Sequence, residues 1–569
     1  MNNPTKPWET TVAASFSIIV PPMTHEVGNQ PTPLTNYNAY TQDKFIQNAA
    51  ELLGAGWIKG KAAALGARVG SPEVQEWARL ANEYKPVLKT HDRFGNRIDF
   101  VEYHPAYHEL MRLGAEAEFH SLAWTTQQSN GHVARGVLSY LMNQAENGVC
   151  CPLGMTYAAI PALRATESVR KAWEQGVLAA RYDGRYVPGQ MKSAVTVGMA
   201  MTEKQGGSDL RNTQTSAKPL SRTGPGEPYQ IIGHKWFTSA PMCDLFFTLA
   251  QTDEGVSCFL MPRFLPDGSR NRIFIQRLKD KCGNRSNASS EIELHDAYGV
   301  LVGDPGHGIR AILEMGHLCR LDFAVGSAGL MRQALSLALH HCEQRDAFGK
   351  RMIDLPMLRN VLADLALEVE ADLLLALRFC LATDLSAGSE RERGLARIGT
   401  PIAKYWNCKL APSIVVEALE CTGGNGFVEE SPLARLYREA PLNAIWEGTS
   451  NMMCLDVLRA MRREPASLEA YLAEVRVGAN GEAVLERFAK SIEHEIREAD
   501  DSDFIARRIV EKMALAMQAS LMNRFVGGDV ASAFTESRIF EGSGRTFGIL
   551  ASKQKAGAIL QRASLEKIL

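Results

Sequence analysis

The chain has 569 residues, 45 per cent of them hydrophobic and 22 per cent charged, with a formal net charge of −2. At roughly 150 residues per folded unit, that length predicts three or four units with ample apolar material for their cores. The charge balance excludes a strongly basic overall surface, though not a local basic patch. Eleven scattered cysteines include no C-x-x-C pair, and the adjacent Cys150 and Cys151 suit neither metal nor disulfide geometry. A reduced, cytoplasmic setting is therefore expected.

Residues 1 to about 45 are rich in Pro, Asn and Thr and predict an extended arm, of a kind able to wrap a neighbouring subunit. The apolar run Ala13 to Val20 follows Glu9 and stops at Pro21-Pro22, which makes a poor signal peptide. No stretch reaches about 18 apolar residues, so no membrane span is expected. From 42 to 190 the pattern is mostly helical. Phe45, Ala49, Leu52 and Leu53 share one face until Gly54 and Gly56 end the run, and Leu138, Leu141 and Met142 mark another.

Near 193 the pattern changes to short strands. Val195 to Val197, Tyr229 to Ile232, Leu245 to Leu249, Cys258 to Met261, Ile273 to Ile275 and Glu291 to Leu294 alternate or are β-branched and aromatic. Gly224-Pro225-Gly226 and Pro266-Asp267-Gly268 supply turns. Six such strands without long helices between them predict a small barrel or sandwich. Helix returns at about 308: Leu335, Leu337 and Leu339, then Leu358, Val361, Leu362, Leu365 and Val369, keep a buried stripe. A helical bundle runs to about 460 and a helical tail to 569, with glycine interruptions at 527–528 and 542–544. The expected fold is mainly α with a central β domain, divided as 1–190, 191–305, 306–462 and 463–569.

Five segments carry candidate chemistry. Met201-Thr202 and Gly206-Gly207-Ser208-Asp209 open a glycine-rich turn after a strand, where backbone N–H groups can hold an anion or a ring carbonyl. The plain alternative is an ordinary Gly-Gly turn. Gly233-His234-Lys235-Trp236-Phe237-Thr238-Ser239 presents aromatics and hydroxyls on a strand. Arg345 to Gly349 follows a long helix; its plain alternative is a helix C-cap with Gly349 at C′ and Arg345 in the last turn. Gly423-Gly424-Asn425-Gly426-Phe427 is another phosphate-type turn, or a plain loop, but it lacks the strand and βαβ context of a nicotinamide fingerprint. Trp446-Glu447-Gly448-Thr449-Ser450-Asn451 holds a carboxylate that a dry pocket would raise toward neutrality and fit for proton abstraction. Metal is not expected: His340 and His341 face different ways on a helix, and His494-Glu495 lacks a second His at ligand spacing.

Taken together these segments resemble the acyl-CoA dehydrogenase family over roughly residues 40 to 460. The resemblance implies FAD as cofactor, with Met201, Thr202, Gly207 and Ser208 at the ring and pyrophosphate, and Phe237 and Ser239 beside the ring. The family's covering aromatic is usually Trp; here Trp236 falls one residue before Phe237. Arg345, Phe348, Gly423 and Gly424 would reach the FAD of a neighbouring subunit, and Thr449 and Asn451 would complete the cofactor set. Glu447 would take the α-proton of an acyl-CoA thioester while the β-hydride moves to the flavin. A subgroup of the family carries its base on an earlier helix, where this chain has Cys319 before Arg320, so Glu447 is the expected base.

Three features resemble the AidB-type branch: the Pro31 to Asn36 arm, Lys279-Asp280-Lys281 with Gly283 to Ser289, and the helical C-terminal extension. That likeness implies a homotetramer in the alkylation response, with weak dehydrogenase activity and double-stranded DNA bound through the extension. An acyl-CoA thioester is the expected substrate, its chain length left open with short or branched chains as one option; the electron acceptor is either an electron-transfer flavoprotein or, in an oxidase, O₂. Read for itself, 538 to 569 holds Arg538, Arg545, Lys553, Lys555, Arg562 and Lys567 against Glu541 and Glu566, a modest basic excess. A tetramer would repeat it four times; a solvated helix surface is the plain alternative.

Overall fold

The computed structural model describes residues 24–479, 482–498, 502–540, 547, 550 and 552–565. The Ala13 to Val20 run, the 542–544 glycines, Arg545 and Lys567 lie outside them. Residues 24–43 form an extended arm. Asp43 then caps α1 (Lys44–Leu52) by accepting from the Phe45 N–H. Phe45, Ile46, Ala49 and Leu53 are buried, whereas Leu52 is 49 per cent exposed. At 100° per residue Leu52 falls on the rim of that face and Ile46 inside it.

The helical reading of 42 to 190 has one correction. Residues Val87–His91 (β1) and Arg97–Glu102 (β2) pair antiparallel. The buried positions of β2 are Asp99 and Val101. Asp99 is held by Arg97 at 3.1 Å and Arg270 at 2.8 Å. A carboxylate in the inward position hides the alternation that marks a strand. Next come α2 (Pro105–Glu116), α3 (Gly131–Ala145) and α4 (Cys150–Ala158), the last two buried on nearly every side.

The β domain has seven strands: β3 (Val197–Ala200), β4 (Ser216–Pro219), β5 (Pro228–Ser239), β6 (Leu245–Thr252), β7 (Gly255–Pro262), β8 (Ile273–Leu278) and β9 (Ser289–Val302). Their order is β3-β6-β4-β5-β9-β7, and β6 also pairs with β7, which closes the path into a barrel; β8 pairs with β9. The expected six strands are present, with the first starting at Val197 rather than Val195. β4, Ser-Ala-Lys-Pro, is too short and polar to read as one.

Three long helices follow: α5 (Gly308–Gln344), α6 (Pro356–Leu385) and α7 (Glu390–Cys421). Between α5 and α7, Thr400 bonds His317, Asn407 bonds the Ala324 carbonyl, Ser327 bonds Cys408 and Cys342 bonds the Cys421 carbonyl. Both numbers rise together, so these two helices run parallel, side by side. After α5 the helical reading is again corrected. Arg345 is extended, and Asp346–Ala347 (β10) pairs with Lys350–Arg351 (β11). Phe348 (φ 52°) and Gly349 (φ 74°) form the two-residue turn of that hairpin, where positive φ at both positions is required. Gly349 is therefore not a helix cap.

The tail follows α8 (Ser450–Arg463) as α9 (Pro465–Ala479), α10 (Ala483–Glu498), α11 (Ala506–Phe525), α12 (Gly528–Arg538) and α13 (Lys553–Ala563). It packs back on the bundle. Gln518 donates to Asp372 at 2.9 Å, and the buried Arg332 donates to the Ala563 carbonyl at 2.9 Å and to Asp43 at 3.0 Å. Among the described residues no helix is long and apolar enough to cross a membrane.

Candidate active site

The turn before α8 places a glutamate in the left-handed region: Glu447 has φ 50° and Gly448 φ 101°. Such a residue costs of order 1–3 kcal/mol unless its surroundings fix it. Two cations do so here. Arg320 Nε donates to the Glu447 carbonyl at 3.0 Å. Lys404 Nζ donates to the Trp446 carbonyl at 3.0 Å and to the Gly448 carbonyl. Lys404 is 1 per cent exposed, and burial brings its amine down to about 8. Trp446 is held in turn by a stack on Phe323 at 4.8 Å and a bond from Nε1 to Asn443 at 3.0 Å.

The Glu447 side chain is half-buried. A Cβ added to Gly316 of α5 would stand 3.9 Å from its Oε2, so the carboxylate faces bare helix backbone. Burial lifts its pKa above the usual carboxylate range, and Arg320 and Lys404 pull the other way. The buried thiols of Cys151 on α4 and Cys319 on α5 both feel the charge of Glu447. Burial pushes the Cys151 thiol up to about 12, and that of Cys319 well above its ordinary value. Both therefore stay protonated at neutral pH. Next to Trp446 a small cavity is lined by Asn143, Asn147, Cys150, Glu439 and Asn443.

The barrel contributes a second wall. The Thr202 carbonyl accepts from Trp236 N at 2.8 Å, stitching the glycine turn to β5. Glu203 is buried against Lys235 at 2.7 Å and receives the Thr215 N–H, which locks the turn beneath. Met201, Thr202 and Gly207 are half-buried and Ser208 is exposed. A Cβ on Gly207 would stand 2.5 Å from Thr202 Oγ1, so the turn requires glycine there. Phe237 is 48 per cent exposed. Lys279 stands 3.2 Å from the Trp236 ring centre and 4.7 Å from that of Phe237. Ser239 lies against Cys151, whose thiol its hydroxyl stabilises as the anion.

The other predicted residues gather elsewhere. Arg345 follows the last residue of α5, and Gly423 and Gly424 follow α7. The arm joins them. Arg345 Nη1 donates to the Asn29 carbonyl at 2.7 Å and to Gln30 at 3.3 Å, and Asn425 donates to the same Gln30 oxygen at 3.3 Å. Phe348 is 95 per cent exposed, and Cβ atoms on Gly423 or Gly424 would meet open space. From Gly316 to Arg345 the helix rises about 40 Å at 1.5 Å per residue. Thr449 occupies the N-terminal cap position of α8 without a side-chain capping bond and is exposed. Asn451 accepts from Arg507 of the extension at 2.8 Å and so faces the tail.

Sequence reasoning overlooked Lys404, and named Cys151 and Lys279 without placing them at this site. A lysine inside the apolar run Pro401-Ile402-Ala403-Lys404-Tyr405-Trp406 was the available signal for the first.

Residues 29–184 match the family described as adaptive response protein AidB N-terminal domain. Residues 198–297 match the acyl-CoA dehydrogenase middle domain, and 306–462 the acyl-CoA dehydrogenase C-terminal domain. The Escherichia coli (strain K12) protein AidB is 42 per cent identical over 516 residues, covering 90 per cent of this chain and 94 per cent of that one. The chain belongs to the acyl-CoA dehydrogenase family, in its AidB group. Acyl-CoA dehydrogenase family member 11 of Caenorhabditis elegans is 29 per cent identical over 83 per cent of this chain and 77 per cent of that protein. The crystal structure of Caenorhabditis elegans ACDH-11 in complex with C11-CoA superposes with a TM-score of 0.81 at 25 per cent identity, over 96 and 95 per cent of the two chains. Family membership makes this chain an acyl-CoA dehydrogenase with FAD as cofactor. The residues present fit that group: the bare Gly423–Gly424 backbone, the Thr202 and Ser208 hydroxyls, and exposed Phe237 and Phe348 offer donors and flat apolar cover.

Proposed function

We propose that Glu447 is the base that removes the α-proton of an acyl-CoA thioester. When bound, FAD supplies the acceptor for the hydride that leaves the β-carbon. The observation that carries this reading is the clamp: Arg320 and Lys404 hold three successive carbonyls, so a carboxylate of raised basicity is presented at one place. The nearby thiols, protonated at neutral pH, and the bare helix backbone do not compete for the proton. Met201, Thr202, Gly207, Ser208, Phe237, Ser239 and Thr449 would hold the cofactor on the Glu447 side.

Arg345, Phe348, Gly423 and Gly424 would hold the cofactor of a neighbouring subunit, since about 40 Å of helix separates them from their own Glu447. A guanidinium suits a pyrophosphate. This supports a homotetramer built from such reciprocal pairs. Asn451, bonded to Arg507, is less suited to a cofactor role. The cavity beside Trp446 is small, which favours a short acyl chain if the chain enters there. An electron-transfer flavoprotein is the proposed electron acceptor.

Anaerobic mixing of the yellow holoprotein with a panel of acyl-CoA thioesters tests the reading. The flavin band should bleach promptly with a short-chain member. Glu447→Gln should keep its FAD and fail to bleach; a variant that bleaches normally would end the assignment. The AidB-type resemblance of the sequence also implies a role on duplex DNA in the alkylation response. The described basic side chains of the last segment argue against a free basic surface there. Arg538 pairs with Asp364 at 2.7 Å and Glu368 at 2.8 Å, Lys555 with Glu536 at 2.7 Å, and Arg562 with Glu370.

A further inference from the structure

The loop between β8 and β9 holds a lysine without a counter-charge. Lys281 donates to the Asn287 carbonyl at 2.5 Å, to Ser289 Oγ at 3.0 Å and to Asn284 Oδ1 at 3.3 Å, and it forms no ion pair among the described residues. Glu439 is linked to it through Asn284, whose backbone N–H donates to that carboxylate at 2.5 Å and whose side-chain amide does so at 3.3 Å. The charges beside it in the loop are paired: Lys279 with Glu291 at 2.6 Å, and Asp280 with Lys85 at 2.8 Å. Burial brings the Lys281 amine down to about 8, which leaves it mainly protonated at pH 7. Three neutral acceptors can be served by an amide or by water. A desolvated charge in their midst is costly unless something of opposite sign offsets it.

The bonds of Lys281 also have a direction. An ammonium only donates, so Ser289 Oγ accepts from it and must send its own proton elsewhere. The next oxygen along is Ser239 Oγ of β5, at 3.4 Å. Ser239 thus accepts from Ser289 and keeps its own proton free to donate. The charge is felt further in. Burial raises the Cys151 thiol, and Lys281 is the strongest influence opposing it, ahead of the Ser239 bond.

We propose that Lys281 is a positioning residue for the flavin: through Ser289 it fixes Ser239 as a donor, and its charge offsets the negative charge that the flavin ring takes up with the hydride. The inference rests on the placement of Ser239 at the flavin proposed above. It gives the unpaired ammonium a partner at the stage of the reaction where one is needed, which is how a preorganised charge assists transfer.

Spectroelectrochemical titration of the FAD-loaded full chain tests it without substrate. Lys281→Gln keeps donors for the loop but removes the charge. It should retain FAD and lower the flavin midpoint potential by about 30 mV, a tenfold loss in the equilibrium of two-electron reduction. Lys281→Arg should stay near the parent. Ser289→Ala, which leaves the lysine and its carbonyl bond in place, should also lower the potential. Lys281→Gln and Ser289→Ala both at the parent potential would overturn the proposal. So would a Lys281→Arg protein that falls as far as Lys281→Gln, the mark of a loop staple. Ser239→Ala separates the two levels. If its flavin spectrum and potential match the parent, the cofactor placement fails and the role of Lys281 with it. If they differ while Lys281→Gln is silent, the role of Lys281 alone fails.

Discussion

Lys404 does with a buried amine what loops usually do with backbone bonds: it closes a turn by holding the carbonyls on either side of Glu447. Hydrogen bonds from charged donors contribute about 1.5–3 kcal/mol each. Lys404→Met should therefore slow flavin bleaching by at least about tenfold while FAD stays bound, measured by stopped-flow absorbance. The pH profile carries a second signature. With its pKa raised above the ordinary 4.5, Glu447 loses its ionised form as pH falls through that higher value, so the acid limb should lie above that of a free glutamate. Removing the Lys404 charge should shift the limb further up. Lys404 itself has a folded pKa of about 8, below its ordinary 10.5. The folded chain then binds fewer protons than the unfolded one between those values, so this amine's contribution to stability rises with pH across that window. The glutamate proposed as base was read from its Glu-Gly-Thr setting, whereas the clamp around it was not. A lysine that reaches carbonyls 42 and 44 positions away leaves no local pattern.

At the level of elements, the arm acts as a strap. Asn29 exchanges bonds with Asp346 at 2.8 and 2.7 Å, Thr32 bonds Gln344 at 2.9 Å, and Gln30 bridges Arg345 to Asn425. A chain beginning at residue 37 should release FAD faster on gel filtration while its melting temperature changes little, since the arm buries little of its own core. Its Pro-rich composition predicted extension, but not what it straps, because those partners lie some 310 residues away. The barrel strands were legible where side chains alternate. β4 and the β1–β2 pair were not, because Ser216–Pro219 is polar and Asp99 occupies an inward position. Gly349 shows the limit of a local signal. A glycine after a helix suits a cap and a tight hairpin equally, and the pairing of Asp346 with Arg351 decided the matter.

Across the whole molecule the C-terminal extension is part of the core. Asp364 and Glu368 are buried on α6 and face Arg538 from the extension. Arg538→Met would leave two buried carboxylates without that cation, a loss of about 3–5 kcal/mol that differential scanning calorimetry would register as a lower melting temperature. Deleting the extension to test for DNA binding would therefore unsettle the bundle as well. The helical order of the tail was legible from periodicity, but the destination of its arginines was not.

The parallel course of α5 and α7 carries Glu447 to one end of the bundle and Arg345 to the other. If each cofactor is held by one end of one chain and the opposite end of the next, no chain owns a complete site. Defects at the two ends should then complement. Glu447→Gln and Arg345→Ala, each inactive alone, should regain activity when dissociated together and reassembled. With random equal mixing in reciprocal pairs, about one site in four would receive both intact ends, and that recovered fraction would count the subunits that share a flavin.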